Sequence, residues 1–351
     1  MYPLAIVGSN STADLVALAC AAAGISDIRR YRPSNTDDQS PAPIPANATR
    51  LIGALSSLPL DELGREPQRA QTRLGQSGYL LSELPLGEFY RQRYGAPMLN
   101  CTAEELRSAL TSEPLPTPEL IEAETLNRIE QEHTLTLITE SLRHRQIEPN
   151  LNTPWCAYSV NTHLTEPIVA NVTWLRGSQR IWQWSSQQQT HFFMLTPSSQ
   201  AFDPEQWHAA LRPAINQCKE PKYFDPELPR VRQNYYDGTR VFLGSACYQP
   251  HPASPESMWL GLEDAWVLAR MLENYEEDTL DGVREYQRYR RARARRADQA
   301  SVRAFSTLKN TTLPQRMLSH IGVALSSRFL PEIVMHKQDW FHQHDCIRGF
   351  H

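Results

Sequence analysis

The sequence predicts an α/β chain in which a parallel-sheet layer is interleaved with an antiparallel sheet and followed by helices. Three observations carry this reading. At the start, the apolar run Ala5 to Val7 ends at Gly8, a helix of strong formers spans Ala13 to Ala23, and Ile25 to Tyr31 can form a second strand. Strand, turn, helix and strand within about 30 residues is the opening of a βαβ unit of the dinucleotide-binding kind. In the middle, AYSVNTHL, IVANVTWL, RIWQWS and THFFMLT, between Ala157 and Leu195, are β-branched or aromatic runs separated by polar turns, the pattern of an antiparallel sheet. Later, Val241 to Leu243 reads as a further strand, followed by helices over Glu263 to Glu273 and Gly282 to Ala304.

The elements follow in order. Gly24 stands at the C′ position of the first helix, where positive φ suits glycine. Pro33 to Thr49 is rich in Pro, Ser, Asn and Asp and reads as a loop. Leu51, Leu55 and Leu58 are spaced for a helix over Leu51 to Leu63. Thr102 with Glu105 forms a capping box, so a helix starts there. Leu120 to Glu132 reads as helix, and Thr134 to Thr139 alternates as a strand. Trp182 with Trp184, and His191 with Phe193 and Leu195, share sheet faces that read either as core or as the wall of an apolar pocket.

Composition narrows the classes. A chain of 351 residues can bury a large core. No run reaches the roughly 18 apolar residues of a membrane span, and MYPLAIVGSN has no signal-peptide pattern, so a cytoplasmic protein is expected. The six cysteines, without a C-x-x-C pair, point to reduced, buried thiols rather than a disulfide framework or structural zinc. A net charge of −4 gives no reason to expect nucleic-acid binding. REYQRYRRARARR, over 284–296, places Arg284, Arg288, Arg291 and Arg295 on one helix face. That face is either a solvated surface or a contact for an acidic partner or anionic lipid at the inner membrane face.

The segment Val241 to Ala265, VFLGSACYQPHPASPESMWLGLEDA, resembles without a gap the motif G-D-A-A-H-x-x-H-P-x-x-G-Q-G-x-N-x-G-L-x-D-A of class A FAD-dependent aromatic monooxygenases, of the salicylate-hydroxylase and ubiquinone-biosynthesis ring-hydroxylase kind. Gly244, Ala246, His251, Pro252, Leu260, Gly261, Leu262, Asp264 and Ala265 keep the frame. The resemblance implies a three-layer FAD-type, Rossmann-like domain (1–72, 98–155, 236–300), an antiparallel β-sheet substrate domain (73–97, 156–235) and a helical C-terminal extension (301–351). It also implies FAD as cofactor, with NAD(P)H as reductant wherever FAD is bound.

The positions that the resemblance assigns to the cofactor are substituted. Gly8, Asn10 and Ala13 stand for the phosphate-loop glycines, and Asn10 puts a side chain where the diphosphate would approach bare backbone. Arg30 stands near the place of the ribose-binding acid, and a cation cannot accept those hydrogen bonds. NCTAEEL, Asn100 to Leu106, lacks the arginine that the family carries before this helix. Glu140 and Ser141, with Arg145, are the best match to the family's A-D-G-x-x-S-x-x-R, without its glycine. Ser245 replaces the ribityl-binding Asp, and Pro255, Glu256 and Ser257 replace Gly-Gln-Gly, with proline supplying no N–H.

Three functions stay open. The leading expectation is a degenerate member that binds a hydrophobic aromatic or quinone-like ligand, or assists a related enzyme. The second is an FAD- and NAD(P)H-dependent hydroxylase with rewired cofactor contacts. The third is a flavin-free isomerase or cyclase using Tyr248, His251 and Glu256, with His251 as base. His336, His342, His344 and Cys346 in the tail HKQDWFHQHDC lack the spacing of a metal site and are expected at the surface. No P-loop, nucleophile elbow or zinc-protease helix is present.

Overall fold

The computed structural model describes residues 3–34, 43–110, 112–122, 125–140, 154–163, 169–226, 230–249, 251–309 and 331–350. In chain order, β1 (Leu4–Val7), α1 (Ser11–Ala22) and β2 (Ile28–Pro33) are followed by α2 (Ala46–Leu55) and the short α3 (Leu60–Leu63). The hairpin β3 (Arg69–Leu74) and β4 (Leu80–Pro85) comes next, then α4 (Glu88–Tyr94), α5 (Ala103–Leu110), β5 (Glu119–Ile121), α6 (Leu126–Glu132) and β6 (Leu135–Ile138). Four longer strands follow: β7 (Trp155–His163), β8 (Ala170–Arg176), β9 (Gln179–Ser185) and β10 (Gln189–Pro197). The rest is α7 (Arg212–Ile215), β11 (Lys222–Phe224), β12 (Tyr236–Asp237), β13 (Arg240–Phe242), α8 (Leu260–Asn274), α9 (Thr279–Lys309) and a C-terminal helix, Pro331–His342.

Two sheets organise these elements. The first has the order β12-β13-β6-β1-β2-β5 and is parallel except for the β12–β13 pair. β1 is buried along its whole length and reads as a continuous apolar run, as a central parallel strand must. Its alternate side chains serve two cores. Leu4 and Ile6 join α1, α2 and α8 on one face, whereas Ala5 and Val7 join Tyr31, Ile121 and Ile129 on the other. The second sheet, β11-β7-β10-β9-β8-β3-β4, is antiparallel except where β3 lies parallel to β8. The two-sheet α/β architecture with C-terminal helices is the one that the sequence predicts.

Several boundaries differ from expectation. The first helix starts at Ser11, because Asn10 caps it. The expected loop 33–49 is shorter: β2 runs to Pro33, Ile44 bridges Leu99, and α2 starts at Ala46. The expected helix 51–63 is two pieces, with Pro59 preceding α3; proline cannot donate the N–H that a continuous helix would need. The expected helix 120–132 begins as β5, since Leu120 and Ile121 pair with Arg32 and Pro33. The capping box at Thr102 forms reciprocally, Thr102 N–H donating to Glu105 Oε2 (2.7 Å) and Glu105 N–H to Thr102 Oγ1 (2.9 Å).

The tail is corrected too. His342 is buried in the C-terminal helix and meets the Tyr90 hydroxyl at 2.9 Å. Arg93 grips Asp339 with two N–H groups (3.0 and 2.6 Å). Arg50 donates to the carbonyls of His342 (3.1 Å) and His344 (2.6 Å), and Arg293 to those of Trp340 (2.7 Å) and Phe341 (3.1 Å). Two arginines thus satisfy the orphan carbonyls at this helix end. Among the described residues no His, Cys, Asp and Glu group could hold a metal ion. All six cysteines are free, five of them buried.

Candidate functional site

The motif segment that follows β13 is built by packing. Gly244 sits at φ +53°, where L side chains are strained, and its N–H donates to Asp264 Oδ2 (2.9 Å). A Cβ on Gly261 would lie 2.6 Å from Thr12 Oγ1 and 3.0 Å from Gly244 Cα, so this glycine lets α8 lie against the start of α1. Asp264 also takes the Arg290 Nε–H (2.6 Å). Beside it, Glu263 accepts from Arg290 (2.7 Å), twice from Arg293 (3.0 and 2.8 Å) and from Asn47 Nδ2 (2.7 Å). Glu263 and Arg290 are at most 1% exposed, and the arginines hold the Glu263 carboxyl well below the carboxylate range against the opposing cost of burial. The retained Gly244, Gly261 and Asp264 therefore have a structural account.

The phosphate loop lies between β1 and α1. Asn10 extends over the helix end: its Oδ1 accepts from Ala13 N–H (3.1 Å) and Thr139 Oγ1 (3.0 Å), and its Nδ2 donates to the Thr139 carbonyl (3.1 Å). A Cβ on Gly8 would collide with the Thr139 hydroxyl, which would have to shift. Ala13 is buried in the core cluster. Ser9 donates its N–H (2.9 Å) and its hydroxyl (3.1 Å) to the carboxylate of Glu140. Glu140 is buried, and burial pushes its carboxyl up while the Ser9 bonds pull it down. Ser141 and Arg145 lie outside the described residues.

Arg30 does not close its strand, which continues to Pro33. It pairs with Ile6 in register, and its guanidinium meets Asp14 in the first turn of α1 and the Pro116 carbonyl. Burial pushes the Asp14 carboxyl up; Arg30, Arg107 and Arg32 pull it down. Arg107 and Arg32 act on Glu140 in the same sense. Arg107 is a cation that inspection of Asn100 to Leu106 missed, because it lies one turn inside α5. Cations and carboxylates at this loop largely compensate one another within the chain.

Tyr248 and His251 follow the strand, and the backbone at Val231 bridges Tyr248. His251 is fully buried; its Nδ1 accepts from Ala253 N–H (3.0 Å), and its ring lies 5.1 Å from that of Phe305 and 6.4 Å from that of Phe224. Burial and the charge of Arg230 hold its pKa down to about 3. It is thus a neutral imidazole with its remaining proton on Nε2, a donor rather than the base that a proton-transfer reaction at neutral pH requires. Pro252 is half-buried in the turn, and the side chain of Glu256 lies outside the described residues. Pro255 opens a 3-10 turn to Trp259. Ser245 Oγ donates to the Thr139 carbonyl at 3.3 Å.

The sheet supplies an aromatic wall. Trp155, Trp184, Phe193 and Leu195 pack with Phe224, Phe305 and Leu308, and Trp182 is partly buried against them. His191 stacks on Trp184, with ring centres 5.4 Å apart, and is held between Asn161 (2.8 Å) and Ser186 (3.2 Å). The stripe is core, and it faces the same cluster as His251 and Ala253.

No family model and no curated protein matches the chain. Solved structures do, with sequence identities that speak to fold alone. Klebsiella pneumoniae HpxO complexed with FAD and uric acid superposes with a TM-score of 0.72 at 15% identity, over 95% of each chain. A salicylate hydroxylase substrate complex gives 0.66 at 13%, over 98% of this chain and 96% of that one. PqsL from Pseudomonas aeruginosa, described as a probable FAD-dependent monooxygenase, gives 0.65 at 13%, over 93% and 99%. The chain has the fold of the FAD-dependent aromatic monooxygenases. Within that fold, at the phosphate loop, the Asn10 amide caps the start of α1 and the buried Glu140 carboxylate holds the Ser9 N–H. Among the described residues, no helix is long and apolar enough to cross a membrane. The arginine face of α9 is partly compensated, Arg284 pairing with Asp281 and Arg288 with Glu285.

Proposed function

We propose that this chain is a monooxygenase-fold protein that does not hydroxylate through a flavin seated in the usual groove, and that it binds a hydrophobic aromatic ligand against the sheet. One observation carries the reading. Asn10, at the second glycine of the phosphate loop, spends its side chain on Ala13 and Thr139, at the end of α1 where a diphosphate would lie. Glu140 adds a buried carboxylate that already takes the Ser9 N–H and hydroxyl, two donors a diphosphate would use. To the apolar body of the ligand we assign the aromatic cluster of Trp155, Trp184, Phe224 and Phe305, which is closed core in this structure and parts to admit it.

The test is the visible spectrum of the purified protein, followed by titration of free FAD with the protein while flavin fluorescence is read. The expected result is a colourless protein and no quenching at micromolar concentrations. Stoichiometric bound flavin overturns the proposal in favour of a hydroxylase with rewired contacts.

A further inference from the structure

The polar atoms buried in the aromatic cluster are unusual in kind. Protein interiors pair their buried polar groups, and a group left without a partner calls for an occupant. Among the described residues, the fully buried His251 Nε2 has no hydrogen-bond partner. Since Nδ1 already accepts from Ala253 N–H, the neutral ring carries its proton on Nε2. Arg230 presents a second donor: among the described residues its buried Nε has no hydrogen-bond partner, while its Nη2 donates to the Asp225 carbonyl (2.7 Å). The guanidinium lies 6.0 Å from the centre of the Phe224 ring, which in turn faces His251. Backbone pairing brings the two together, because Gln249 N–H donates to the Arg230 carbonyl (3.0 Å) and Arg232 N–H to that of Cys247 (2.8 Å).

We propose that His251 Nε2–H and the Arg230 guanidinium form a donor pair that recognises an anionic oxygen on the aromatic ligand, with the Phe224 and Phe305 rings lining its apolar body. The pair offers hydrogens and positive charge. An oxyanion is attracted to both, whereas a neutral hydroxyl can accept from them but gains no charge-assisted bond. Asp298 on α9 acts on Arg230 through space, but among the described residues no hydrogen bond joins them. This assignment rests on the aromatic-ligand reading above and sharpens it, since a charge-assisted hydrogen bond to an oxyanion is stronger than one to a neutral quinone carbonyl.

The experiment titrates the full chain with 2-naphthoate and with 2-naphthalenemethanol, following tryptophan fluorescence. The same titrations are made on His251→Phe, His251→Gln and Arg230→Met, each checked for native circular dichroism. The expected result is that naphthoate binds at least about tenfold more tightly than the alcohol. His251→Phe and Arg230→Met should erase that ratio, and His251→Gln, which keeps a donor, should retain part of it. Equal binding of both probes, or a ratio that Arg230→Met leaves unchanged, overturns the donor pair while the aromatic-ligand reading stands. Binding of neither probe to the unmodified protein overturns that reading, and the pair with it. If His251→Phe does not fold, the Arg230→Met and His251→Gln ratios decide the matter.

Discussion

Replacing Arg290 with Met tests whether the retained motif positions serve packing. Arg290 is 1% exposed, and its guanidinium joins Asp264 (2.6 Å), Glu263 (2.7 Å) and the Leu260 carbonyl (3.3 Å). Met fills most of the volume but leaves Asp264 with the Gly244 N–H alone. Removing one partner from a buried ion pair costs about 3–5 kcal/mol, because the charge left behind is uncompensated. At an unfolding entropy of about 2.1 cal/mol/K per residue, a chain of 351 residues converts that loss into a fall in Tm of about 4–7 °C. Scanning calorimetry measures it directly. The pH dependence gives a second signature. Without Arg290 the folded-state pKa of Asp264 rises further above its unfolded value, so the variant is penalised as pH rises through that range and relieved as pH falls. The difference in Tm between the two proteins should therefore shrink from pH 8 to pH 5. A fall of less than about 1 °C, or a difference that does not shrink, refutes the account of these residues as a buried electrostatic frame.

Other substitutions probe separate contacts. Asn10→Ala removes the cap on α1 and should cost about 1–2 kcal/mol in chemical denaturation, with no change expected if the side chain faced solvent. Thr102→Ala opens the capping box and should cost about 0.5–2 kcal/mol in the same assay. His342 is held down to about 3 and His191 to about 4 by burial, so both are neutral when folded and take up protons on unfolding. Stability is complete above about pH 6.5 and should fall on acidification towards pH 4, by about 1.4 kcal/mol per pH unit for each group. His342→Gln should flatten that profile, as followed by the unfolding midpoint across pH.

Much of the fold was legible because it is written in short-range patterns. The alanine-rich run before Gly24, the capping box at Thr102 and the alternation of Trp182 with Trp184 need only local sequence to be read. What stayed hidden depends on distant partners. Leu120 and Ile121 carry a helical spacing, yet they pair with Arg32 and Pro33, and tertiary pairing overrides the local preference. His336 is exposed as its sequence suggests, whereas His342 reads as surface only because nothing near it in sequence announces Tyr90 and Arg50. At the candidate site, the substitutions at Asn10 and Ser245 were visible, but not where their side chains go. The bond from Ser9 to Glu140 spans 131 residues. Arg107 lies one turn inside α5, beyond the motif position, and its influence on Asp14 and Glu140 exists only in three dimensions.

The clasp on the C-terminal helix bears on how the polypeptide matures. Phe341 and Cys346 belong to the same apolar cluster as Leu4 and Ile6, and Arg50 waits for carbonyls nearly three hundred positions downstream. A ribosome delivers residues in order, so the earliest strands leave the exit tunnel long before the segment that seals their neighbours has been translated. The apolar surface of the nascent amino-terminal half is therefore covered in full only once the C-terminal helix Pro331–His342 and its flanking residues have been translated.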